Sequence, residues 1–159
     1  MTEAEERKFM QRAIELANIG MDHNAGGPFG AVIVLEGKIV GEGYNNVTSK
    51  NDPTAHAEIV AIRNACSKLQ RFHLDNCTIF CSCEPCPMCL SAIYWARLSK
   101  IYFAANKHDA AHANFDDAFI YQQFELDPQN REIPSTQLLA QEGSILFKKW
   151  IEKDDKISY

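Results

Sequence analysis

The residues best placed to do chemistry are one histidine, one glutamate and a pair of cysteines. His56 and Glu58 stand in His56-Ala57-Glu58, and Cys86 and Cys89 follow in Pro85-Cys86-Pro87-Met88-Cys89. Thiolates and a neutral imidazole together suit zinc. Three protein ligands leave the fourth position to water, the arrangement of a catalytic zinc, whereas a structural zinc takes four. Glu58 is not needed as a ligand and is free to carry protons. Zinc lowers the pKa of bound water from about 15.7 to about 7, so hydroxide chemistry becomes accessible at neutral pH. The pattern predicts a hydrolytic zinc enzyme with one Zn2+ per subunit, ligated by His56, Cys86 and Cys89. The alternative is a non-catalytic zinc module in which Cys81 or Cys83 supplies a fourth ligand.

These side chains need elements that aim them at one point. Cys86 and Cys89 are three apart and face the same way on a first helical turn, where unpaired N–H groups and the helix dipole favour thiolate. The helix they open is expected over Met88 to Arg97. His56 and Glu58 are two apart and would point to opposite sides in mid-helix. Both can serve one ion if they lie at a helix start, with Thr54 as the cap of a helix over Ala55 to Leu69. Two helix N-termini then converge at the C-terminal ends of strands, where α/β sheets form their crevices.

The remaining chain supplies that scaffold. Phe9, Met10, Ala13, Ile14, Leu16 and Ala17 recur at helical spacing over Glu3 to Ile19, with Gly20 as a stop. Gly26-Gly27-Pro28-Phe29-Gly30 is a breaker cluster. It feeds the apolar run Ala31 to Leu35, read as a strand buried on both faces. Glu36-Gly37 turns the chain into a second strand, Lys38 to Glu42. Further strands are expected at Cys77 to Cys81 and at Lys100 to Ala105, and a last amphipathic helix at Ser144 to Ile151. This alternation predicts an α/β fold, a three-layer α/β/α sandwich with a mixed central sheet.

Composition narrows the partners. The 159 residues suit one domain, and 46% hydrophobic content supports a core. A net charge of −5 lacks the basic footprint of a nucleic-acid binder, so a small molecule is the expected substrate. No apolar run reaches the roughly 20 residues of a membrane span. The polar, acid-rich Met1 to Lys8 is unlike a signal peptide. With six cysteines, that points to a reducing, cytoplasmic setting. Cys66 and Cys77 read as packing thiols, and His23, His73, His108 and His112 as surface residues.

His56-Ala57-Glu58 with Pro85-Cys86-Pro87-Met88-Cys89 resembles the signature of the cytidine and deoxycytidylate deaminase superfamily. Asp52 to Glu58 is equally similar to two of its branches, tRNA adenosine deaminases and bacterial guanine deaminases. Gly27-Pro28-Phe29-Gly30, Asn45 to Thr48, Ile93 to Arg97, Phe115 to Phe119 and Tyr159 resemble the guanine deaminases. The resemblance implies a cytidine-deaminase-like fold and hydrolysis of guanine to xanthine and ammonia, with the wobble-adenosine tRNA enzyme as alternative. It implies that Glu58 and Asp117 carry protons, and that Phe29, Asn45, Ala57, Trp95 and Tyr159 contact the base. Phe29 and Trp95 would wall the flat ring, and Asn45 would read a polar edge with a donor and an acceptor together. It further implies a homodimer in which residues 144–159 of a single 1–159 deaminase domain cross to the partner, so that Tyr159 closes the neighbour's pocket. Blander readings stand beside these. Phe29 and Trp95 have core roles in many folds, Asn45 can satisfy turn backbone, and Asp116 can exchange roles with Asp117.

Overall fold

The computed structural model describes residues 1–158, so the expectation for Tyr159 lies outside the described residues. The chain forms two compact units, Met1–Asp117 and Ala118–Tyr159. The first begins with helix α1, Glu3–Asp22, opened by Thr2. The Thr2 hydroxyl accepts from Glu5 N–H at 3.3 Å, and the Glu5 carboxylate accepts from Thr2 N–H at 2.8 Å. This reciprocal cap satisfies two donors that the first turn leaves unpaired. Gly20 does not stop the helix. It lies inside α1, where a Cβ would stand 2.8 Å from Tyr44 Cδ2, so its role is close packing.

Strands β1, Gly30–Leu35, and β2, Lys38–Tyr44, form the expected hairpin. Its turn residues Glu36 and Gly37 both have positive φ, 50° and 73°, the handedness that matches strand twist. A short helix α2, Val47–Lys50, precedes α3, Ala57–Leu69. Then come β3, Thr78–Cys83, α4, Pro87–Trp95, and β4, Lys100–Ala105. Helix α5, Lys107–His112, follows directly; its signal is the Asn106 cap and Asp109 three residues later.

The sheet order is β2-β1-β3-β4. β1 pairs antiparallel with β2 and β3, whereas β3 and β4 are parallel, so the sheet is mixed as expected. Alternation along β1 serves two layers. Val32 and Val34 meet Phe9, Ala13 and Leu16 of α1 around Phe80. Ala31 and Ile33 face the other way, with Ala57, Ala61 and Ala65 of α3 and Ile93 of α4. Fully burying a side chain such as Ile33 or Phe80 contributes about 1.5–3 kcal/mol.

Helix α3 lies very close to β2. A Cβ at Gly41 would stand 2.4 Å from the Ala61 carbonyl oxygen, and one at Gly43 2.4 Å from that of Ala57. Small residues on both elements therefore set the depth of α3, and with it the position of its first turn.

The second unit contains α6, Ala118–Glu125, a short 3-10 turn at Pro128–Asn130, and α7, Ala140–Glu152. The expected amphipathic piece at Ser144 to Ile151 lies inside α7. None of the described residues of this unit is buried. No helix among the described residues is long and apolar enough to cross a membrane.

Candidate active site

His56 and Cys86 occupy equivalent places. His56 is the N-cap of α3, with φ −66° and ψ 156°, and Cys86 is the N-cap of α4, with φ −63° and ψ 168°. Both have extended backbone, so each side chain projects over a helix end. Pro87 at the start of α4 lacks an N–H that the helix could not have paired. The convergence of two helix starts is therefore as expected. The cap of α3 is not, because Thr54 turns away from the helix. Its hydroxyl and N–H both donate to Asp52 Oδ1, at 2.7 and 2.8 Å.

His56 Nδ1 lies 3.5 Å from Cys86 Sγ and 3.5 Å from Cys89 Sγ. All three ligand atoms lie within 4.8 Å of one another. Bonds of about 2.3 Å to sulfur and 2.0 Å to nitrogen, meeting at a tetrahedral angle, separate S and N by roughly 3.5 Å. The donor set thus fits one zinc ion by type and by spacing. Hydrogen bonding from Cys89, and then His56, pushes the Cys86 thiol down to about 4. Its hydrogen bond with Cys86, and then burial, holds the Cys89 thiol up. The His56 imidazole is raised, first by its bond with Cys86.

Among the described residues, the buried polar or charged side chains are Asn45, 5% exposed, and Glu58, 7% exposed. Such groups are costly unless they are partnered or used. Glu58 Oε2 stands 3.4 Å from Cys89 Sγ, which puts the carboxylate against the ligand triangle. Burial raises its pKa, so it holds a proton more readily than an exposed glutamate. Cys81 and Cys83 do not join the ligand cluster among the described residues. Cys83 donates instead to the Asn106 carbonyl at 3.7 Å. The four-ligand module loses its fourth ligand on this ground.

The other expected residues are distributed unevenly. Asn45 closes β2 beside Phe29, and its N–H donates to the Phe29 carbonyl at 3.0 Å. Its Oδ1 accepts from Val47 N–H at 3.1 Å. One lone pair of Oδ1 is thus used within the turn. Gly26 makes room for it, since a Cβ there would stand 2.0 Å from Asn45 Oδ1. Ala57 is fully buried in the first turn of α3, where backbone N–H groups lack helical partners. Asp117 is raised by partial burial and then by the charge of Cys86. Trp95 ends α4, about 12 Å along the helix from its start, and is 73% exposed within one chain.

Two residues given no role from the sequence hold the loops. Ser82 Oγ accepts from Gly30 N–H at 2.9 Å, tying the end of β3 to the backbone beside Phe29. Thr48 donates to the Ala25 carbonyl at 2.8 Å, tying α2 to the glycine-rich loop. Only the tertiary contacts distinguish them from ordinary polar residues.

Known proteins extend this picture. A family model described as the cytidine and deoxycytidylate deaminase zinc-binding region matches residues 3–105. The guanine deaminase of Bacillus subtilis (strain 168) is 50% identical over 151 residues, 95% of this chain and 97% of that one. An X-ray structure of guanine deaminase from Bacillus subtilis superposes with a TM-score of 0.95 at 48% identity, covering 100% of this chain and 99% of that chain. The tRNA-specific adenosine deaminase of Rickettsia felis (strain ATCC VR-1525 / URRWXCal2) is 32% identical over 151 residues, 91% of this chain and 99% of that one. With the zinc-fitting triangle and the buried glutamate in place, the chain belongs to the cytidine and deoxycytidylate deaminase family and, within it, stands with the guanine deaminases.

Proposed function

We propose that the protein deaminates guanine by hydrolysis: guanine and water give xanthine and ammonia. The observation that carries this reading is the His56, Cys86 and Cys89 triangle with the buried Glu58 carboxylate 3.4 Å from Cys89 Sγ. It is joined to 50% identity with a guanine deaminase along almost the whole chain. Zinc held by His56, Cys86 and Cys89 supplies Lewis acidity that eases the ionisation of water.

The remaining steps belong to the chain's own groups. Glu58 takes the proton of the attacking water and delivers it to the substrate. Its burial suits this role, because a raised pKa makes the carboxyl a better proton acceptor than an exposed glutamate. The new C–O bond forms at the amidine carbon that carries the amine, the C–N bond breaks, and the amine leaves as ammonia once protonated. Asp117, also raised by burial, is the second carrier for that departure. Phe29, Asn45, Ala57, Trp95 and Tyr159 are the residues we assign to the base. Asn45 Nδ2 donates to an acceptor on the purine edge.

The same reading includes a second copy of the chain. We read residues 1–159 as one deaminase domain in which 144–159 is exchanged within a homodimer. A segment of this size with none of its described residues buried cannot hold itself in place. The apolar side chains of 144–159 are left to solvent: Leu146 is 66%, Phe147 73% and Ile151 70% exposed. The six free cysteines fit a reducing cytoplasm.

A panel of aminated bases, assayed for ammonia with zinc-loaded protein, tests the substrate. Guanine should be consumed with the absorbance change to xanthine. Turnover of another base without guanine would sink the proposal, and inosine formation in a tRNA anticodon stem-loop would favour the tRNA branch.

A further inference from the structure

Phe115 has no role in the reaction so far, yet its placement is tightly specified. It follows α5, where Asn114 takes a left-handed conformation, φ 67°, and reverses the chain. Phe115 N–H then donates to the Ala110 carbonyl at 3.0 Å, fixing the turn. The ring that emerges meets Phe29 edge to face, with centroids 5.0 Å apart and planes at 87°. Gly27 is the floor of this pair. A Cβ there would stand 2.8 Å from Phe29 Cε2 and 2.9 Å from Phe115 Cζ. No other residue type at 27 leaves both rings where they are.

Phe29 is also held through its backbone and by packing against the core on the α3 side of the sheet. Its N–H donates to the Gly27 carbonyl at 2.8 Å, its carbonyl accepts from Asn45 N–H, and the next N–H is taken by Ser82 Oγ. These bonds fix where the ring begins but not its tilt. The tilt is set by what the ring touches, and Phe115 supplies an edge at right angles to it. Phe115 also lies two residues before Asp117, so one loop carries both the ring contact and the acid.

We propose that Phe115, seated over Gly27, is a positioning residue that sets the orientation of Phe29 against the base. The inference rests on the reading of the site as a guanine deaminase with Phe29 as a wall. An edge-to-face pair is worth enough to change binding roughly 2- to 10-fold. The contact acts on how the flat ring is held, so it bears on KM more than on kcat.

A double-mutant cycle on the zinc-loaded, full-length protein tests this, with guanine as substrate. Phe115→Leu keeps apolar bulk and removes the edge. We expect KM to rise roughly 2- to 10-fold, with kcat, zinc content and melting temperature little changed. Phe115→Tyr keeps the ring and should restore KM, and Gly27→Ala, which displaces both rings, should raise KM as Phe115→Leu does. In a Phe29→Leu background, Phe115→Leu should add nothing further. A native KM in Phe115→Leu, or effects of the two leucine substitutions that simply add, overturns the inference while leaving guanine deamination standing. Unaltered protein that does not turn over guanine overturns the parent reading, and the inference with it.

Discussion

At the scale of single residues, the centre is defined by what would be expensive without a use. A glutamate that is 7% exposed beside two thiols costs folding free energy unless the site employs it. Glu58→Gln preserves shape and removes the ionisable group. We expect zinc content to stay native and kcat to fall on the order of 10²- to 10⁴-fold. Metal analysis with steady-state kinetics checks this, and a variant with near-native kcat would remove Glu58 from the mechanism. Asn45 is the other buried polar side chain among the described residues, and the backbone of its own turn uses it. The reading that Asn45 can satisfy turn backbone agrees with its Oδ1 accepting from Val47 N–H, a bond that depends on how β2 runs into α2.

At the scale of elements, function depends on helix starts. The loop before α3 is braced by Asp52, whose carboxylate accepts from the Thr54 hydroxyl and N–H. Those bonds, the side-chain one first, hold the Asp52 carboxyl below its usual range. A depressed folded pKa means stability that is present above the unfolded value and lost as pH falls through the folded one. Asp52→Asn should therefore lower the melting temperature at pH 7, and the gap should close as the pH is taken below about 4. Thermal melts of both proteins across that range decide it; a gap independent of pH would mean that the charge is not what braces the loop. The cap of α3 was misplaced from sequence for a related reason. Thr54 has the residue type of a cap, but its hydroxyl has an acceptor two residues upstream.

For the whole molecule, the two units differ in kind. The first has a core on both faces of its sheet, whereas the second exposes α7, with Leu146 at 66% and Ile151 at 70%. Apolar surface of that sort is in keeping with the exchange proposed above. The protein should sediment as a dimer, and deletion of Lys156 to Tyr159 should reduce guanine turnover while zinc content stays native. A monomer in solution at assay concentration, or unchanged kinetics after the deletion, would end the exchange proposal. The net charge of −5 agrees with a small-molecule substrate at this scale, since counterion release favours basic surfaces on nucleic acid.

Much of this was legible in the residues alone. The ligand types and spacing around His56, Cys86 and Cys89 named the metal, because soft sulfur and imidazole donors are read directly from composition. The period-two and period-3.6 patterns marked the hairpin, β3, β4 and the main helices, because burial on a defined face forces those periods on a sequence. The short helices α2 and α5 escaped, being capped by local polar residues and not driven by an apolar stripe. Only the tertiary structure decided the rest. It placed His56, and not Thr54, as the cap of α3, because backbone angles there follow from the Asp52 loop. It kept Gly20 inside a helix, because Tyr44 needs the space. It brought Phe115, which follows β4 in the chain, onto Phe29. The Gly20–Tyr44 and Phe115–Phe29 contacts join residues distant in sequence, and their energies exist only once the fold has brought them together, whereas the Thr54–Asp52 bonds are local and follow the path of the loop.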